Sequence, residues 1–121
     1  MQIITIFYIL NATILLLHEI ESAYEQEWEL FRLPGKITGF AIFHIPIILL
    51  LFYGLLEIER QTTIGFIMCL IAGIWGLMPF IVHKIVLKRE EKFNRLASNV
   101  LIYSNFITGA ALIILSLRFI T

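Results

Sequence analysis

Three histidines and two glutamates carry most of the chemistry this chain can do. His18, Glu21 and Glu25 stand at i, i+3 and i+7, the spacing of one helical face. Glu-x-x-His pairs in helix bundles deliver two ligands to a carboxylate-bridged metal centre. Here the order is reversed, His-x-x-Glu, but both side chains can still converge on one ion. His44 and His83 follow in stretches so apolar that a histidine there is costly and marks a functional hypothesis. Three neutral imidazoles with a water are a common catalytic zinc arrangement. Adding glutamate makes a mixed nitrogen–oxygen set that suits iron or manganese as well.

His18, Glu21, His44 and His83 are therefore the candidate metal ligands. Glu21 or Glu25, when not ligating, is the candidate catalytic base. The alternative is structural: hydrogen bonds between helices, or contact with water and headgroups for His18 and His83 near helix ends. Glu19, Glu27 and Glu29 read as a solvated face. Asn11, two turns before His18, and Asn99, Tyr103 and Asn105 can orient an imidazole or bond neighbouring helices. Cys69 is the only cysteine. It reads as a small packing residue, and no internal disulfide or paired-thiol redox chemistry is available.

The elements that must position these residues are membrane helices. Of 121 residues, 60% are hydrophobic, and the mean hydropathy is +0.91. A spanning helix needs ~20 mostly apolar residues. Spans are expected at about 3–24, 37–56, 64–83 and 99–120, within a single domain covering 1–121. The fold class is thus an all-α integral membrane protein, a four-transmembrane-helix bundle. The first helix is expected to run on to Phe31, ~43 Å at 1.5 Å per residue, and so to extend into the cytoplasmic interface. Leu33-Pro34-Gly35 should stop it. The start of the chain lacks a basic region and a small-residue cleavage site, so it is expected to be a retained helix.

Pro46 and Pro79 should perturb the backbone near His44 and His83. Gly65, Cys69, Ala72, Gly73 and Gly76 form a small-residue stripe that permits close helix approach. As an exposed stripe it would leave a homodimer open. The segment Lys84–Arg95 reads as a short basic amphipathic piece at the anionic membrane surface.

Alternating helices bring all three histidines to one side. That side also carries Arg32, Lys36, Lys84, Lys88, Arg89, Lys92 and Arg95, against Arg60 and Arg118 on the other. The histidine side should be cytoplasmic, with both termini outside.

From His18 through Glu21 to Pro34-Gly35 the chain resembles the HXXEE-motif family of small, uncharacterised polytopic membrane proteins. His18 and Glu21 match its H-x-x-E, and Pro34 and Gly35 match the end of its Y-x-P-G. Ser22 stands where a second glutamate is expected, and Arg32 takes the tyrosine position. The stretch also resembles a related group of small four-helix proteins of unknown function. The resemblance implies that H-x-x-E is a family trait and supplies no reaction.

The leading expectation is a metal-binding membrane protein, with zinc, iron or manganese and no nucleotide cofactor, acting as a lipid-directed metalloenzyme at the cytoplasmic leaflet. Its partners would be membrane lipids, with no nucleic acid. A small transporter is the alternative. However, small multidrug transporters rely on a carboxylate deep in the first helix, and here none precedes Glu19. A haem bundle using His44 and His83, or an accessory subunit whose polar groups only pair helices, completes the alternatives.

Overall fold

The four apolar stretches form four helices in the computed structural model: α1 (Ile3–Tyr24), α2 (Lys36–Glu59), α3 (Thr63–Phe80) and α4 (Leu96–Ile120). The structure describes residues 2–24, 34–82 and 96–120. Each helix is long and apolar enough to cross a membrane, and no strand occurs among the described residues. A backbone in hydrocarbon must satisfy its own polar groups, and a helix does so within one segment. The chain is therefore an integral membrane four-helix protein.

Contacts between helices fix their directions. Along α1, Gln2, Tyr8 and Glu19 bond to Ile58, Leu51 and His44 of α2, so the two run antiparallel. Asn11 and Glu21 of α1 meet Thr108 and Ser98 of α4, again antiparallel. Asn11 also reaches the Ala72 carbonyl of α3. The alternation gathers His18, Glu19, Glu21, His44 and Ser98 at one end, as the spans imply. The helix turns behave as their residues dictate. Gly35 adopts φ 89 just before α2, a left-handed angle that suits glycine. Thr62 caps α3 by accepting from the Gly65 N–H at 3.0 Å, a preferred N-cap bond.

On α1 the buried positions Ile4, Tyr8, Asn11, Leu15, His18 and Ser22 alternate by four and three residues. That spacing makes one continuous seam along a helix. On α3, Gly65, Cys69, Ala72, Gly73 and Gly76 are all buried. The stripe is thus internal, which corrects the expectation that it is exposed. Close approach within the chain consumes it: a Cβ on Gly73 would stand 2.8 Å from the Gly109 carbonyl oxygen of α4.

α2 packs on α3 and α1 but not on α4 among the described residues. Its outer face exposes Phe43, Leu49, Phe52 and Leu56, which is favourable only where the solvent is lipid. α2 continues through Pro46, and α3 passes into a π turn at 81–82 shortly after Pro79. Three expectations fall outside the described residues: the extension of the first helix beyond Tyr24, the basic segment Lys84–Arg95, and the placement of His83.

Candidate functional site

The central feature is a buried pair that joins α1 to α2. His44 is 9% exposed. Its Nδ1 lies 2.7 Å from the Phe40 carbonyl oxygen, one turn earlier in α2. A carbonyl only accepts, so Nδ1 carries a hydrogen and donates it. The tautomer is thereby fixed, and Nε2 is the nitrogen turned toward α1. There it meets Glu19 Oε2 at 2.6 Å. Phe40 and Phe43 flank the imidazole, with ring centroids 4.1 and 5.7 Å away, and keep its surroundings apolar.

With Nδ1 donating to the carbonyl, one hydrogen must lie between Nε2 and the carboxylate oxygen, since both otherwise only accept. The pair is either imidazolium–carboxylate or imidazole–carboxylic acid, and in both states it is neutral as a unit. Neutrality is what lets two ionisable groups share a low-dielectric site. The same Nδ1–H to backbone bond is the device that orients a metal-ligating imidazole.

Glu21 occupies the other flank of α1. Its Oε2 accepts a hydrogen bond from Ser98 Oγ of α4. Its Oε1 is buried and has no hydrogen-bond partner among the described residues. Burying a carboxylate oxygen without a donor is costly. His18 is 4% exposed and lies in the α1 seam between these flanks.

Asn11, seven residues toward the membrane centre from His18, starts a second polar cluster. Its amide donates to the Ala72 carbonyl at 2.9 Å, and its Oδ1 accepts from Thr108 Oγ1 at 2.8 Å. Asn105 is fully buried nearby, and its side-chain amide finds no partner among the described residues. Asn11 therefore bonds neighbouring helices, as one of its two readings holds.

Of the candidate ligands, His18, Glu21 and His44 lie at one end of the bundle. His83 and Glu25 lie outside the described residues. Among the described residues no three His, Cys, Asp or Glu side chains form a metal-holding group. The solvated-face reading of Glu19 is corrected, because α2 packs on that flank of α1 and brings His44 to it. Ser98, which no spacing on the first helix pointed to, is a fully buried partner of Glu21. A signal for Glu19 existed in its place one turn after Leu15, a residue of the seam.

Residues 4–119 match a family described as a family of unknown function, DUF6713. No curated protein and no solved structure matches the chain. The match supports the expectation of an uncharacterised family. The HXXEE assignment rests on the spacing at His18, Glu21, Pro34 and Gly35 alone.

Proposed function

The chain belongs to the DUF6713 family of unknown function, and we propose that it is a metal-binding membrane protein whose site exchanges a proton for a divalent cation. One observation carries this reading: His44 holds its Nδ1–H on a backbone carbonyl and presents Nε2 to a carboxylate. Nε2 and Glu19 are the two central ligands. His18 and Glu21 lie at the same end of the bundle, with Glu21 on the flank of α1 that faces α4, and His83 is the third imidazole that the sequence offers. The Glu21 Oε1, buried and without a partner among the described residues, supports a site for a positive partner at the same end of the bundle. Zinc fits a histidine-rich set, and iron or manganese fits a set with more carboxylate.

A bound ion would supply Lewis acidity to a water or a lipid carbonyl. The protein's own contribution is to hold Nε2 in the ligating tautomer, to exclude water with Phe40 and Phe43, and to take up or release the shared proton. Glu21 and Glu25 remain the proposed bases for a lipid-directed reaction, with Ser98 holding one oxygen of Glu21 in place.

Elemental analysis of the purified full chain, beside His44→Ala, tests the reading. The expected result is near-stoichiometric zinc, iron or manganese, lost in the variant. Adding metal to the stripped protein should release about one proton per ion, because the ligating forms are deprotonated. A parent protein that neither carries nor takes up metal would overturn the proposal and leave the pair as a bond between α1 and α2.

A further inference from the structure

Directly below the His44–Glu19 pair, toward the membrane centre, lies a cavity of about 260 Å³ between α1, α2 and α3. Tyr8, Leu15, Ile47, Leu51, Met68 and Trp75 form most of its wall. The Tyr8 hydroxyl donates to the Leu51 carbonyl at 2.6 Å, so the residue turns its ring and not its polar end to the space. A half-open pocket so lined offers water no hydrogen bonds. In a bilayer the remaining occupant is hydrocarbon.

The cavity and the polar pair share helix faces. On α1, Leu15 and Glu19 are one turn apart. On α2, His44, Ile47 and Leu51 stand at i, i+3 and i+7, the spacing of one face. The upper wall of the cavity is therefore about 5 Å along the helix axes from the pair. Two turns farther out, at ~12 Å, α2 begins with the exposed cation Lys36. The order along α2 is thus cation, hydrogen-bonding pair, hydrocarbon slot.

The geometry points to a binding site for one acyl chain of a bilayer phospholipid, seated between α1, α2 and α3 with its ester at the His44–Glu19 level. Among the described residues α2 makes no contact with α4, so the slot lies on the side of the bundle that α4 does not cover. Calling this lipid the substrate rests on the metal-site reading; its binding does not.

Trp75 lines the cavity, and the only other tryptophan is Trp28, so Trp28→Phe leaves a single reporter. The test titrates this variant of the full chain, in detergent, with phosphatidylcholine brominated in mid-chain. Saturable quenching of Trp75 by one lipid per chain is expected. Ala72→Leu and Ile47→Phe, which fill the slot from α3 and α2, should each weaken it about tenfold or more. Phe52→Leu, on the outer face of α2, should leave it unchanged. Quenching that stays linear with lipid in the Trp28→Phe protein, or saturable quenching unchanged in both filled variants, overturns the site. Metal content measured on the same samples separates the two ideas. Loss of the lipid site would leave metal uptake intact, and a protein that binds no metal would still show saturable quenching.

Discussion

Glu19 shows how far the spacing of residues along one helix can be read. The i, i+3, i+7 rule groups His18, Glu21 and Glu25 correctly by face, yet it says nothing about which neighbour lies on each flank. Glu19 is rotated ~100° from His18 one way and Glu21 ~60° the other. α2 lies on the first flank and α4 on the second, so His44 pairs with Glu19 and Ser98 with Glu21. His44 itself was legible, because an imidazole in an apolar span needs a partner. Glu19→Gln separates metal binding from helix pairing. With Nδ1–H fixed on Phe40, neutral Nε2 is an acceptor, and the glutamine amide can donate to it. One neutral hydrogen bond thus replaces a stronger charge-assisted one, at a cost of about 1 kcal/mol. Thermal unfolding in detergent should therefore change little, while metal content falls to that of His44→Ala. Retention of metal in Glu19→Gln would remove Glu19 from the ligand set.

At the scale of elements, the four spans were legible because a bilayer permits so few alternatives. The small-residue stripe of α3 was also legible, but its partner was not, since small residues serve packing within a chain as well as between chains. The structure gives Gly73 to α4, Gly76 to α1 and α4, and Gly65 to the end of α2. A Cβ on Gly109 would stand 2.6 Å from the Gly73 carbonyl oxygen and 3.3 Å from Gly76 Cα. These are backbone atoms and cannot swing aside. Gly109→Ala should force α3 and α4 apart and cost about 1–3 kcal/mol, read as a lower unfolding midpoint in detergent. Ile107→Ala removes a lipid-exposed side chain two residues away and should lower it far less. A Gly109→Ala protein as stable as the parent would mean that the α3–α4 contact is looser than this geometry.

The whole molecule is polarised from end to end. One end holds the His44–Glu19 pair and the Glu21–Ser98 bond. The opposite end is closed by a structural clamp, in which buried Glu57 accepts from Thr62 Oγ1 at 2.7 Å and pairs with Arg60 at 3.3 Å. The clamp ties α2 to α3 across a short turn, whereas the functional end joins helices by a proton-sharing pair and a single hydroxyl. The sequence places seven of the nine Lys and Arg residues on the functional side. Since basic residues near span ends are retained in the cytoplasm, that side should face the cytoplasm. Cys69 is buried and unpaired, so a Cys69→Ser background admits single reporter cysteines. In it, Glu59→Cys at the clamp should react with an impermeant maleimide added to intact cells. Lys36→Cys should react only after permeabilisation, and it leaves the basic bias at six to two. The reverse labelling pattern would move the site to the outer leaflet and give its metal and lipid an extracytoplasmic source.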